Sequence, residues 1–222
     1  MLECIICKRL ALNSWKMKTS CLYFLILVAA AGTIQSCQKE LDGLSEDGII
    51  NPADQKPKVG TIWTYRYTTY HILGPVVSAK TIYHKAKEEV TLGGEKWLNI
   101  VDVGADTTLY FLNVKTGGLY QYSNNNSFLF CKSPAALNDT YNTFNDGSTE
   151  DFTVKGINDT LPTGIGDIPA NYYEGVKGGY LIDRIWYNKN AWIVHRVIWR
   201  KKPDPSVAYW RYSTMYIDDI VY

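Results

Sequence analysis

Three histidines, five cysteines and a scatter of acids are the residues of this chain that could carry chemistry. His71, His84 and His195 sit singly on stretches that alternate like strands, whereas a zinc site needs three or four converging ligands. No local spacing supplies them, so no metal is expected. Asp218 and Asp219 are adjacent, and neighbours on a strand face opposite ways. Either could join a carboxylate pair of the glycosidase kind only if the fold brought in Asp183 or Glu174. No serine lies in a G-x-S-x-G context. Thr163-Gly164-Ile165-Gly166 has the glycines of a phosphate cradle but no helix after them. Cys131, at the end of Phe128-Leu129-Phe130-Cys131, has no base beside it and reads as a small buried hydrophobe. The expectation is no catalytic set and no cofactor.

Aromatic content is the feature that stands out, with 17 Tyr and 7 Trp. Trp63, Tyr65 and Tyr67 fall on one side of an alternating stretch, and Trp210 and Tyr212 share a side of another. Aromatics fill strand cores, and they also stack on apolar chains and sugar rings. These five residues are the candidate ligand-binding face, with core packing as the competing reading of each.

The elements that must position them are strands. Thr61 to Leu73 alternates strictly, with Thr64, Arg66 and Thr68 opposite the aromatics, which marks a half-buried strand. Gly74-Pro75, Gly93-Gly94, Gly104-Ala105-Asp106, Thr116-Gly117-Gly118 and Asn124-Asn125-Asn126 are turns. They separate six strands that end at Phe128 to Lys132. Within the second, Lys85-Ala86-Lys87-Glu88-Glu89 reads as an exposed edge or rim. Pro134 to Asn138 could form one helical turn, and residues 138–150 read as a polar loop. Strands follow over Asp151 to Ile157, Ala170 to Val176, Tyr180 to Tyr187, Ala191 to Arg200 and Val207 to Val221. Several are far longer than the usual 5–6 residues. Long antiparallel strands twist and coil, so the fold class expected is all-β, a curved antiparallel meander that is half-barrel or barrel-like.

Ahead of this domain lies a leader. Lys16 and Lys18 precede the apolar run from Cys21 to Val28, which passes into Ala29-Ala30-Ala31-Gly32. The run is about a dozen residues, short of the roughly 20 that span a bilayer, and it reads as a signal peptide over residues 1–36. Met17 is the better start, because Met17-Lys18-Thr19-Ser20 already makes a basic n-region. Ile34-Gln35-Ser36-Cys37 closes the leader and resembles the bacterial lipoprotein signal, with an aliphatic residue, a small residue and then the cysteine. Gln35 departs from that pattern. The resemblance implies diacylglyceryl attachment to Cys37 and a lipid anchor in the membrane, each buried methylene contributing about 0.8 kcal/mol. Gln38-Lys39-Glu40-Leu41-Asp42 lacks an aspartate at the first position, and its charge resembles the surface-export signal of Bacteroidetes-type lipoproteins. A solvated linker that happens to carry charge is the equal alternative. Residues 37–58 then form the lipidated cysteine and a tether broken by Asp42-Gly43, Asp47-Gly48 and Asn51-Pro52.

Charge is balanced. The whole chain carries +1, and the leader takes four basic residues and one acidic one with it, leaving −2. That excludes the footprint of a nucleic-acid binder. After Cys37 only Cys131 remains, so no disulfide within the mature chain is expected and the core must hold the domain alone. A membrane barrel would need an outward apolar band on every strand, and Arg66, Lys85, Lys87, Arg184, Arg196 and Arg211 leave no room for one.

Residues 59–222 therefore read as a single β domain. Gly60, Trp63-Thr64-Tyr65, Gly118-Leu119-Tyr120, Pro134, Pro162-Thr163-Gly164 and Tyr172-Tyr173 resemble β-rich domains of unassigned function in Bacteroidetes-type outer-membrane lipoproteins. The resemblance implies a cell-envelope location, periplasmic-facing or surface-exposed. The expected function is non-catalytic binding of a lipid, a glycan or an envelope protein. The alternative is an envelope hydrolase acting on glycans through paired carboxylates.

Overall fold

A computed structural model describes residues 56–72, 74–145, 147–201 and 210–222. The leader, Cys37, the tether before Lys56 and the turn at Pro203-Asp204-Pro205 lie outside the described residues. Twelve strands follow one another: β1 (Ile62–Tyr70), β2 (Val76–Leu92), β3 (Glu95–Asp102), β4 (Thr107–Lys115), β5 (Gly117–Ser123), β6 (Asn126–Ser133), β7 (Thr140–Asn145), β8 (Ser148–Thr163), β9 (Gly166–Lys177), β10 (Tyr180–Asn188), β11 (Trp192–Arg200) and β12 (Trp210–Val221). There is no helix among the described residues.

The spatial order is β6-β5-β4-β3-β2-β1-β12-β11-β10-β9-β8-β7. Strands adjacent in sequence are adjacent in space, and β12 comes back to pair with β1 from Ile62↔Val221 to Thr69↔Ser213. The antiparallel meander thus curls into a nearly closed barrel, the all-β class that the long alternating strands predict. β2 runs 17 residues and β8 runs 16. Register shifts at Thr64/Tyr65, Ala86/Glu88 and Gly156/Asp159 mark bulges that let such strands bend.

The ladder ends at β6 and β7, and side chains hold the seam between them. Phe128 stacks on Phe144 at 5.0 Å. The Tyr141 hydroxyl donates to the Phe130 carbonyl at 3.0 Å, and that of Tyr173 to the Lys132 carbonyl at 2.6 Å. Tight hairpins join several neighbouring strands. Gly93-Gly94 and Asn124-Asn125 both hold positive φ at the two central positions, which two-residue hairpins of matching twist require. Gly164 has a different task at the β8–β9 tip. A Cβ there would lie 2.0 Å from the Asp218 carbonyl oxygen, so this hairpin packs its backbone directly on β12.

Three sequence expectations are corrected. Residues 138–150 are not a loop: β7 and the start of β8 form a hairpin there. The inward positions of β7 are Tyr141 and Thr143, too little apolar content to show a period. Pro134 to Asn138 forms a turn and not a helix. Lys85 to Glu89 is no sheet edge, because β2 pairs with β1 on one side and β3 on the other. Ala86 there is fully buried, and the outward charges pair across strands instead, as Lys87–Asp106 at 2.8 Å and Lys96–Glu89 at 2.7 Å.

The barrel interior is filled. Trp63, Tyr65, Phe130, Phe152, Tyr173 and Ile217 are among the buried residues of one continuous cluster. Each such side chain contributes roughly 1.5–3 kcal/mol by leaving water. The space left between Trp63, Tyr65, His84 and Ile100 is about 20 Å³, room for about one water molecule. This is a packed core and not a lumen.

Candidate functional site

Of the five candidate aromatics, two belong to that core. Trp63 donates from Nε1 to the Ala191 carbonyl at 2.9 Å and stacks on Trp192 at 5.4 Å. The Tyr65 hydroxyl donates to the Ile193 carbonyl at 3.0 Å, and burial pushes its pKa far up, so it stays neutral. Tyr67 is half-buried beside a smaller cavity of about 280 Å³ shared with His84, Asp102 and Arg196. Trp210 and Tyr212 form an edge-to-face pair 5.5 Å apart, on the face of β12 opposite the buried Ser213 and Met215. The fold does not gather the five on one surface.

An aromatic row that the sequence did not flag crosses the outer face of four strands. Tyr172 stacks on Trp186 at 4.5 Å, Trp186 on His195 at 4.6 Å, and His195 meets Tyr216 edge-on at 5.0 Å. The first two contacts are nearly coplanar, at 12° and 15°. Ring faces turned on one another are not free to stack on a sugar. Period-two reading could have found the row only with the strand registers known, because each ring comes from a different strand.

Three of the four acids named from sequence meet an arginine, and the fourth, Asp219, accepts from the Ile220 amide at 2.8 Å. Asp218 pairs with Arg66 at 2.5 Å and Glu174 with Arg184 at 3.0 Å. Asp183 and Arg196 form a buried pair at 2.5 Å, 2% and 6% exposed. Arg196 also donates to the Tyr110 hydroxyl at 3.0 Å. Burial alone would lower the Arg196 pKa; Asp183, Tyr110 and Glu150 outweigh it and hold the guanidinium charged. Glu150, 4% exposed, is the acid that sequence reasoning missed, because it lay in the segment read as loop. With Asp183 and Gln121 it lines a polar cavity of about 680 Å³ at one end of the barrel, rimmed by Lys177, Arg200 and Lys201.

The three histidines stay apart. His71 follows β1 and is exposed. His84 touches the Tyr65 ring at 5.0 Å, and burial pushes its pKa down to about 4 against the opposing pull of Asp102. Burial likewise takes His195 down to about 4. Among the described residues no three metal-ligating side chains cluster. Cys131 is fully buried, and desolvation raises its thiol well above the ordinary range despite the Arg196 charge. A thiol reagent is expected to leave it unmodified in native buffer and to react once denaturant unfolds the barrel. Fast native labelling would show an accessible thiol instead.

The opposite end of the barrel holds a cavity of about 800 Å³. Its walls are apolar, from Val59, Trp97, Leu98 and Leu112. Lys56, Lys58, Lys96, Lys115 and Lys189 surround it, and Glu89 is the one acid in its lining. The chain arrives at this mouth: the Lys58 amide donates to Thr61 Oγ1 at 3.0 Å, and the Gly60 amide to the Ala86 carbonyl at 2.8 Å. Tyr187 and Trp192 complete the lining. Both are nearly fully buried, and neither Tyr187 Oη nor Trp192 Nε1, each enclosed by the protein, has a hydrogen-bond partner among the described residues. The β10–β11 turn places them there. Asn188 Oδ1 accepts from the Asn190 and Ala191 amides at 2.8 and 2.9 Å, and Trp192 takes a φ of 64°.

No family model and no curated protein matches the chain. Among solved structures it is similar to a candidate exported protein of Bacteroides fragilis with a YmcC-like fold. The likeness covers 76% of this chain and 98% of the other, at 13% identity and a TM-score of 0.42.

Proposed function

We propose that this chain is a membrane-anchored lipoprotein of the cell envelope whose barrel binds a ligand or partner without converting it. Anchoring rests on the order of basic start, apolar run and lipobox that ends in Cys37. Binding rests above all on the lysine-rimmed mouth, whose wall is largely apolar. A cavity of about 800 Å³ lies within the usual range for ligand pockets, roughly 300–1,000 Å³. The acids nearest to a dyad favour the same reading. A carboxylate clamped by a guanidinium is held ionised and makes a poor proton donor.

Metabolic labelling with an alkyne fatty acid tests the anchor. Label is expected on the parent chain and absent from Cys37→Ala, and label retained by the variant removes the lipoprotein reading. A glycan hydrolase is the second reading, favoured by Glu150 and Asp183 sharing the polar cavity. Release of sugar from an envelope glycan, abolished by Glu150→Gln, would put it first.

A further inference from the structure

We infer that the lysine-rimmed mouth is a site for an anionic amphiphile of the membrane, an apolar chain carrying a phosphate or carboxylate head. The inference rests on the binding function proposed above and specifies its ligand. Three observations converge on it. The cavity wall is apolar, with Trp97, Leu98, Leu112 and Val59 presenting hydrocarbon or ring surface. Charge around it is one-sided. Lys96 is paired with Glu89 and Lys115 with Glu95, whereas Lys56, Lys58 and Lys189 have no acid partner among the described residues.

Lysines at the rim call for negative charge, and a phosphate or carboxylate head supplies it. The third observation is position. The mouth is lined by Lys56 to Val59, about 20 residues after Cys37. A chain of that length spans at most tens of ångströms, at ~3.3–3.6 Å per residue, so an anchor at Cys37 keeps this end within reach of lipid. The cavity at the other end also has a cationic rim, of Lys177, Arg200 and Lys201, but it is lined by Gln121, Glu150 and the Arg196–Asp183 pair as well as by apolar side chains.

The test uses the full chain carrying Cys37→Ala, which removes any acyl groups of its own. Dodecyl phosphate, titrated below its micelle concentration and read by calorimetry and native mass spectrometry, is expected to bind one per chain. Inorganic phosphate, the charged head alone, and octyl glucoside, an alkyl chain with an uncharged head, are expected to bind at least tenfold more weakly. Lys58→Glu with Lys189→Glu should weaken dodecyl phosphate at least tenfold. Binding that is unchanged in Lys58→Glu with Lys189→Glu overturns the inference. So does a failure of dodecyl phosphate to bind, or octyl glucoside binding as tightly, although the latter leaves a non-catalytic binding protein standing. Release of dodecanol and phosphate from the probe would instead sink the non-catalytic function itself.

Discussion

Replacing Arg196 by Met will lower the free energy of unfolding by about 3–5 kcal/mol, the range for removing one partner of a buried ion pair. The guanidinium sits 6% exposed inside the barrel and meets Asp183 through both Nε and Nη2. Methionine fills much of the volume but leaves Asp183 in the interior without the guanidinium's charge. Glu150, whose charge also bears on Arg196, loses its counter-charge in the same step. The double change Arg196→Met with Asp183→Leu removes the pair together and should recover most of the loss, since an apolar pair of similar size is often as stable. Urea titrations of the parent, both single variants and the double variant measure the coupling directly. A loss below about 1 kcal/mol in Arg196→Met would show that water reaches the pair and screens it.

That pair also marks how far the sequence carries. Arg196 was counted from sequence among the charges that forbid a lipid-facing band, but it points into the barrel. Period two tells that Arg196 and Val194 share a face and not which face is inner, because β11 buries both sides over much of its length. The meander itself was legible, since glycine and asparagine turns punctuate alternating stretches from Trp63 to Cys131 and again from Asp151 onward. β7 was not, because its burial comes from Thr143 and one tyrosine, in a polar text that reads as loop. The site was the least legible part. Tyr187 and Trp192 look like ordinary strand aromatics, and what sets them apart is a missing partner, which only the folded arrangement can reveal. The same limit explains Trp63 and Tyr65. Alternation placed them correctly on one face, and closure of β12 onto β1 made that face the core rather than a cleft.

Stability will fall as pH drops from about 6.5 towards 4, and His84 and His195 set part of that slope. Both are neutral in the folded barrel, their pKa values pushed down to about 4 by burial, against about 6.5 in the unfolded chain. Above pH 6.5 neither state binds the protons, and the histidines contribute no pH dependence. Between 6.5 and 4 the unfolded chain takes them up and the folded one does not, so unfolding is favoured progressively. Below about 4 the folded state is protonated as well, and the loss from these groups levels off. At 1.36 kcal/mol per pKa unit the full difference is roughly 3 kcal/mol for His84. His195 contributes less, because it lies half-buried on the outer face between Trp186 and Tyr216, where solvent screens part of the cost. His84→Gln keeps a neutral polar group beside Tyr65 and cannot titrate. Its stability difference between pH 7 and pH 4.5 should be smaller than the parent's by about 2–3 kcal/mol, a comparison that also subtracts what the carboxylates contribute. NMR titration of the His84 ring should show no protonation until the pH nears 4. An ordinary midpoint near 6.5, or an unchanged pH slope in His84→Gln, would mean that water reaches His84 and that the interior beside Tyr65 is open.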